Sequence, residues 1–442
     1  MSASDIFSPE TGTDQAVETF PPPGYRPAPS IIEGIEIYAP APTTVEKPEI
    51  MDFKCPKCGA TTAYSVDEGG LHCEHCGYSE KPEVERLGKS AEKFEFRVET
   101  MERSQVGWGQ ERKDLACQRC GGVVSVPPDA MAFSCPFCGS NKVIFRASLE
   151  DNLRPRYLIP FKIDPQGCRD ITCEWLGASW MIPGDLKAAA QNKRAGPEKF
   201  HPLYIPYWTF NARAYAEWSA EVAHTRTEYY TENGQRKSRT VTEWRYESGK
   251  VQKEFADVLV PGTTHLNMTT LGQVDNYGIQ DLVLYEPRYL AGMQAQAYDL
   301  PLDDAWDAGR QLMREQTRKA CLDRASNSRV RNFQMTLDFN DESWRYILAP
   351  IYTSVYNYQD KSYQILLNGQ TGKIAGPRPV DWGKVWLVVA LLLAPGLLIA
   401  LLGMLIGGES GQGTVLIGLF LLVVAVVIDF FLLSQAQEME HV

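Results

Sequence analysis

Positive charge is in short supply in this chain. Against 55 Asp and Glu it carries 44 Lys and Arg, a formal net charge of −11 over 442 residues. Affinity for nucleic acid comes largely from Lys and Arg on phosphates, so the balance has the wrong sign for a general nucleic-acid binder. Reaction-centre motifs are missing as well: no G-x-S-x-G and no H-E-x-x-H occurs. The stretch Asn368-Gly-Gln-Thr-Gly-Lys373 has the look of a phosphate loop, but such a loop needs Ser or Thr after the Lys and Ile374 stands there. It reads instead as a turn between strands. Histidine is scarce, with six in all. His72 and His75 flank a cysteine, His441 lies at the end of the chain, and His201, His224 and His265 are scattered, which favours structural or exposed roles over catalysis. The N-terminus lacks the basic-then-apolar pattern of a secretory signal peptide.

Cysteine, by contrast, is patterned. Cys55-Pro-Lys-Cys58 is followed after fourteen residues by Cys73-Glu-His-Cys76. Cys117-Gln-Arg-Cys120 is followed after the same fourteen by Cys135-Pro-Phe-Cys138, so the pattern repeats with an offset of 62 residues. A Gly follows each pair: Gly59, Gly77, Gly121 and Gly139. Zinc takes four thiolates tetrahedrally, with Zn–S near ~2.3 Å, and one C-x2-C turn supplies two of them. The Gly suits the left-handed backbone that ends such a turn. Fourteen residues are enough for a hairpin that returns the second turn to the first. The competing reading is a set of disulfide staples or redox dithiols. We expect two zinc ribbons with two structural Zn2+ ions, one on Cys55, Cys58, Cys73 and Cys76 and one on Cys117, Cys120, Cys135 and Cys138. With four protein ligands each, no position is left for water or substrate, so the sites read as structural rather than catalytic. Thiolate zinc also implies a reducing compartment. Neither ribbon is basic: Lys54 and Lys57 meet Asp52, Asp67, Glu68, Glu74 and Glu80, and Arg119, Lys142 and Arg146 meet Asp114 and Asp129.

The remaining chain divides by composition. Residues 1–50, with Pro21-Pro22-Pro23, read as a disordered Pro-rich tail that cannot bury enough apolar surface to offset ordering. Ribbon 1 is expected over 51–80, a charged linker over 81–113 and ribbon 2 over 114–146. In the linker Phe94, Phe96 and Val98 alternate as in a strand, and Trp108 between Gly107 and Gly109 is placed to pack on a ribbon.

Residues 150–380 read as an α+β domain dominated by antiparallel sheet. Strands are expected at 156–163, 203–222, 225–231, 239–247, 344–352, 355–358 and 363–367, with Asn233-Gly234 as a hairpin turn. Helices are expected at 169–180 and 301–327, the latter with Asp303, Asp304 and Asp307 early and Arg314, Arg318, Lys319 and Arg324 late, as the helix dipole favours. Tyr204, Tyr207 and Trp208 fit core packing better than a ligand pocket. Cys168, Cys173 and Cys321 share no metal-like spacing and read as buried free thiols.

Residues 385–406 and 414–433 are almost uninterrupted apolar runs. About 20 residues at 1.5 Å rise cross ~30 Å of hydrocarbon, so each reads as a transmembrane helix. The seven residues Gly407 to Gly413 join them as a hairpin with both ends on one side. Lys373, Arg378 and Lys384 precede the first span while the loop carries only Glu409, which places the soluble domains and the 434–442 tail in the cytosol. Pro395-Gly396 is a kink site, and Gly403 and Gly418 permit close approach of the helices. Asp429 sits near the cytosolic end of the second span, where a solvated carboxylate is expected.

The order of parts resembles a family of bacterial membrane proteins with paired N-terminal zinc ribbons, often labelled primosomal helicase-like or TFIIB-type zinc-ribbon proteins. The matching text is the ribbon pair, Leu203-Tyr-Ile-Pro-Tyr-Trp-Thr-Phe210, Tyr289-Leu-Ala-Gly-Met293, Leu348-Ala-Pro-Ile-Tyr352 and Tyr363-Gln-Ile-Leu-Leu-Asn-Gly-Gln-Thr-Gly-Lys-Ile374, within residues 51–433. The resemblance implies association with SPFH (flotillin-like) and phage-shock PspA-like membrane-stress proteins, and a non-enzymatic scaffold at the inner membrane. No motor core accompanies the helicase label in this chain. A nucleic-acid-binding protein of replication or repair, tethered through its ribbons, is the alternative expectation, and nucleic acid is the partner that the charge disfavours.

Overall fold

A computed structural model describes residues 25–28, 37–40, 53–81, 86–88, 91, 94–95, 107–108, 110–128, 130, 134–147, 153–197, 199–232, 235–359 and 361–441. The chain forms two units, Met1–Glu49 and Ile50–Val442. In the first, β1 (Tyr25–Ala28) and β2 (Ile37–Pro40) form an antiparallel pair with Tyr25 opposite Pro40 and Ala28 opposite Ile37. Two strands therefore lie inside the stretch read as a disordered tail. Ile37 and Tyr38 give them apolar content that the Pro-rich composition masks, and the rest of residues 1–50 lies outside the described residues.

The second unit opens with the ribbon strands β3 (Ala63–Ser65), β4 (Gly70–His72) and β5 (Ser79–Glu80), then the linker strand β6 (Phe94–Glu95), which pairs with β15, and the second set of ribbon strands, β7 (Lys113–Cys117), β8 (Val123–Val126) and β9 (Val143–Ala147). Phe96, Val98 and Gly109 lie outside the described residues. There follow β10 (Tyr157–Leu158), α1 (Pro165–Gly177), α2 (Gly184–Gln191), β11 (His201–Glu232), β12 (Gln235–Pro261), α3 (Met268–Val274), β13 (Val283–Leu284), β14 (Gln294–Ala295), α4 (Leu302–Leu322), β15 (Val330–Tyr358), β16 (Lys361–Asn368) and β17 (Ile374–Ala375). Two apolar helices close the chain, α5 (Trp382–Ile406) and α6 (Gly408–His441).

Three long strands organise this α+β unit. β11 has 32 residues, β12 27 and β15 29, and β11 lies between the other two, antiparallel to both. The expected separate strands at 203–222 and 225–231 are one strand, as are those at 344–352 and 355–358. Polar residues inside these runs suggested breaks, but neighbouring ladders carry the backbone through them. β11 pairs β12 from Tyr207 opposite Pro261 to Glu232 opposite Gln235. Asn233-Gly234 lies outside the described residues; the pairing on either side leaves a two-residue connection.

Burial along β11 follows the layers above it. Leu203 to Ala212 are buried on both faces, between a cluster holding Tyr204, Tyr352 and Phe161 and one holding Leu203, Ile205 and Tyr207. Farther on only alternate residues are covered. Ala214, Ala216, Trp218 and Ala220 turn inwards under α4, while Tyr215 and Glu217 are exposed. α4 buries Trp306, Gly309, Met313 and Cys321, and a Cβ on Gly309 would come within 2.8 Å of the Phe210 ring. Trp306 meets Phe210 edge-on at 4.8 Å.

Three helix boundaries differ from expectation: both ends of α1, and the end of the helix expected at 301–327, which stops at Leu322 with Asp323 as its cap. α1 starts at Pro165 because Asp164 caps it, accepting from the Gly167 N–H at 2.7 Å, and it ends at Gly177. The expected strand at 156–163 is limited to Tyr157–Leu158, which pairs parallel to β15.

α5 and α6 are long and apolar enough to cross a membrane, with 25 residues in one and 32, Ser410–His441, in the other. They pack against each other through small residues, as expected for Gly403 and Gly418. A Cβ on Gly418 would fall 2.5 Å from the Ala400 nitrogen, and one on Gly403 2.7 Å from the Val415 nitrogen. The link is shorter than the seven residues expected. Gly407 alone separates the helices, at φ +64°, and residues 408–413 are already helical. Asp429 is buried rather than at the surface: it is 5% exposed, on the same side of α6 as buried Ala425 and Ala436, and neither carboxylate oxygen has a hydrogen-bond partner among the described residues.

The hairpin is fastened to the sheet domain at its open end. The Met439 carbonyl accepts from the Arg378 N–H at 2.7 Å, and Glu440 accepts from the Trp382 indole at 2.9 Å. The Asp381 N–H donates to Met181 O at 2.7 Å and the Lys384 ammonium to Ile182 O at 2.8 Å, so the turn between α1 and α2 sits at the mouth of the hairpin.

Candidate metal centres

Each C-x2-C pair is a tight turn built the same way. In the first, the Gly59 N–H donates to Cys55 O (2.8 Å) and the Cys55 N–H to Ala60 O (2.7 Å). The same two bonds recur at Cys73 with Gly77 and Tyr78, at Cys117 with Gly121 and Gly122, and at Cys135 with Gly139 and Ser140. The four glycines have φ of +72°, +71°, +76° and +69°, the left-handed region that the sequence pattern called for. Gly122 has a second reason to be glycine, since a Cβ there would lie 2.4 Å from the Phe137 ring.

The hairpins β3–β4 and β7–β8 bring the turns together in pairs. Cys55 Sγ lies 3.5 Å from Cys76 Sγ, and Cys58 Sγ 3.6 Å from Cys73 Sγ. In the second group both corresponding separations, Cys117–Cys138 and Cys120–Cys135, are 3.6 Å. All four sulfurs of each group lie within 4.8 Å of one another. Tetrahedral thiolates at ~2.3 Å from one ion would be about 3.8 Å apart, so each donor set fits a single metal ion. All eleven cysteines are free. His72 pairs with Glu68 at 3.1 Å and His75 is exposed, so neither joins a group. Desolvation pushes the Cys55 thiol up, but the N–H groups of Lys57 and Cys58 outweigh it and leave the value at about 7. Cys117 is likewise raised by desolvation and brought to about 7 by the N–H groups of Cys120 and Arg119.

The ribbons are not beads on a string. β8 pairs with β14 through Ala295 opposite Ser125, which makes ribbon 2 part of the large sheet. Arg112, fully buried, secures the joint: it donates to Ser125 Oγ (2.9 Å), Ser125 O (2.7 Å), Leu290 O (3.1 Å) and Met293 O (2.7 Å). Burial still depresses its guanidinium to about 10, against the opposing pull of Tyr285 and Asp114. Ribbon 1 reaches the same segment from another direction. The Tyr64 N–H donates to Ala291 O at 2.9 Å, the Tyr64 ring lies 5.4 Å from Tyr289, and Gly292, at φ +72°, leaves room for Ala63. Tyr289-Leu-Ala-Gly-Met293 is therefore the strip on which both ribbons dock. Neither this role nor that of Arg112 was legible beforehand; only the motif itself stood out. Trp108 is buried in the cluster that holds Tyr64 and Tyr289, with its carbonyl accepting from the Tyr285 hydroxyl at 2.7 Å.

The remaining candidates are structural in their geometry. Tyr204, Tyr207 and Trp208 are wholly buried. Cys168, Cys173 and Cys321 are buried, and desolvation raises all three thiols, Cys168 to about 12. His201 is half-buried, and burial lowers it. His265 pairs with Asp299 at 3.3 Å. His224 meets both Glu247 (2.9 Å) and Ser326 (3.3 Å), but through the same nitrogen, Nε2, so the three do not form a relay from base to nucleophile. In the 368–373 turn, Asn368 Oδ1 accepts from the N–H groups of Gln370 (2.8 Å) and Thr371 (3.0 Å), and Gly369 O accepts from Lys162 N (2.8 Å) and Ile163 N (3.0 Å).

The chain is similar to the uncharacterized protein YdjG of Bacillus subtilis (strain 168). The two are 24% identical over 343 residues, covering 76% of this chain and 92% of that protein. No protein-family model matches the chain, and no solved structure matches it.

Proposed function

We propose that the chain is a non-enzymatic, membrane-anchored adaptor, its two cysteine groups each holding a structural Zn2+. The observation that carries this reading is mechanical. Both cysteine groups and the apolar hairpin are bonded to one sheet domain, the ribbons through Tyr289–Met293 and the hairpin through Met181, Ile182 and Met439. Such an arrangement holds binding surfaces at a set distance from a bilayer. Two modules too small to fold on their own cores gain rigidity from metal. Lys373, Arg378 and Lys384 beside the first helix favour a cytosolic sheet domain at the inner membrane. Partners of the SPFH/flotillin-like or PspA-like kind follow from the family resemblance.

The test is extraction in mild detergent from the protein's own cells, followed by identification of what co-purifies. Flotillin-like or PspA-like proteins are the expected result, lost in Cys55→Ser and Cys117→Ser while membrane insertion persists. Replication or repair proteins, or nuclease-sensitive DNA, would overturn the reading, as would failure of those variants to insert.

A further inference from the structure

We propose that the turn between α1 and α2, led by Trp180, is a second membrane contact of this chain, seated in the headgroup zone of the bilayer that the hairpin crosses. All ten tryptophans lie among the described residues, and only Trp180 and Trp386 are exposed. Trp386 is on α5, where an exposed face meets lipid. Trp180 belongs to the sheet domain, yet the fold brings it to the same place. Two further tryptophans gather there: Trp382 donates to Glu440, and the Trp175 ring lies 4.7 Å from the Arg378 guanidinium. An indole has an apolar body and a polar N–H, and the boundary between headgroups and hydrocarbon suits both.

The level of the turn follows from its bonds. Met181 O accepts from the Asp381 N–H, Ile182 O accepts from the Lys384 ammonium, and the Ser179 hydroxyl donates to the Met439 sulfur at 3.7 Å. The turn therefore flanks the first turn of α5 and the last turn of α6. α5 has 25 residues, about 37 Å at 1.5 Å rise against ~30 Å of hydrocarbon, so its first turn stands among the headgroups. What is bonded to that turn stands there too. α1 leads to the same level. It begins at the sheet, where the Ile163 N–H bonds to Gly369 O, and ends at the hairpin, where Trp175 O accepts from Arg378 at 3.2 Å. Residues Trp175 to Gly184 carry no charge, and Glu174 and Asp185 bound the run. With Met181 and Ile182 buried, Trp180 is the large side chain left for lipid. Continuity with the span makes a bilayer, rather than a protein, the occupant. A hairpin alone lets the sheet domain tilt about its mouth; a turn seated beside it holds the sheet at one angle.

The inference rests on the hairpin crossing a membrane, as the adaptor reading has it. The test places the photo-crosslinker p-benzoylphenylalanine in the full chain, in its own membrane, at Trp180. Trp386 reports on the span, and Tyr229, exposed near the far end of β11, is the control. Phospholipid adducts, identified by peptide mass, are expected from 386 and 180 and not from 229. With the probe moved to Gly184, where a Cβ would meet only the Lys384 ammonium at 3.8 Å, Trp180→Asp should lower the lipid yield about tenfold, the fold-change for returning a partly buried indole to water. The yield at 386 in the same background should not change. A lipid adduct at 386 but none at 180, or a 180 adduct with protein, would overturn the proposal and leave the anchor standing. Equal yields at 184 with and without Trp180→Asp would overturn it too, since the indole would then not seat the turn. No lipid adduct at 386 would overturn the anchor and the turn together.

Discussion

Arg112→Met tests whether ribbon 2 is clamped to the sheet or merely placed beside it. The guanidinium makes four hydrogen bonds in a fully buried site, three of them to carbonyls: Ser125 O, Leu290 O and Met293 O. Methionine has nearly the reach of arginine but no donor, so those carbonyls lose their partner without gaining water. A buried polar group left unmatched costs about 1–3 kcal/mol. Three such groups set a gross loss of about 3–9 kcal/mol, from which the cost of desolvating the cation must be subtracted. That offset is real here, because burial already depresses the Arg112 guanidinium to about 10. We expect a net destabilisation of about 3–5 kcal/mol, the usual cost of breaking a buried charged contact. The assay is denaturant unfolding of the detergent-solubilised chain, followed by near-UV signal, together with metal content. Two metal ions per chain should remain after mild treatment, since all eight cysteines are untouched. A loss below about 1 kcal/mol would refute the clamp, being the size of an ordinary surface contact. Loss of metal at full stability would refute it too, by showing that Arg112 serves the cysteines and not the joint.

Gly292→Val should release ribbon 1 in the same way: a Cβ there would sit 2.8 Å from Ala63 at a φ of +72°, and limited proteolysis should begin to cut between 53 and 81 while the sheet domain resists. Asp281 is raised by desolvation but brought below its ordinary value by Lys162, Gln370 and Arg86, so its ion pair adds stability above the unfolded carboxyl value and loses it as pH falls through the lower folded one. Asp281→Asn should therefore cost about 1–3 kcal/mol at pH 7 and progressively less below about pH 4, read from unfolding curves across pH; a pH-independent difference would refute the assignment. Gly418→Leu should separate α5 from α6, because a Cβ alone would meet the Ala400 nitrogen at 2.5 Å; cysteine crosslinking between the helices reads the loss. Asp429→Leu should stabilise the pair by about 2–4 kcal/mol, since it replaces a buried carboxylate with no hydrogen-bond partner among the described residues by an apolar side chain, and unchanged helix association would refute the reading.

How much of this was legible in the sequence follows from how local each signal is. The cysteine turns could be read because the ligand pairs, the glycines and the hairpin length all sit within about twenty residues, and the same chemistry fixes all three. The apolar helices could be read from composition, and Gly403 and Gly418 from the need for close approach. The cap of α1 was missed although Asp164-Pro165 announces it. β15 was started at Trp344 although its ladder with β11 runs back to Val330 past a bulge at Asp341, and it was broken at Thr353-Ser354, which look like loop text, whereas β16 and, at Thr353, β11 bind their backbone. Nothing local identifies Arg112 as the joint, since its four acceptors lie on Ser125, Leu290 and Met293, up to 181 residues away.

Asp429 shows how a correct placement can carry a wrong environment. Counting residues from the end of the span put the carboxylate near the membrane surface, where solvent would reach it. Depth along a helix does not fix the direction in which a side chain points. Ala425, Asp429 and Ala436 are spaced by four and seven, so they share one side of α6, and that side is the one that α5 covers. The helix end beyond it is occupied too: Met439 and Glu440 bond to Arg378 and Trp382.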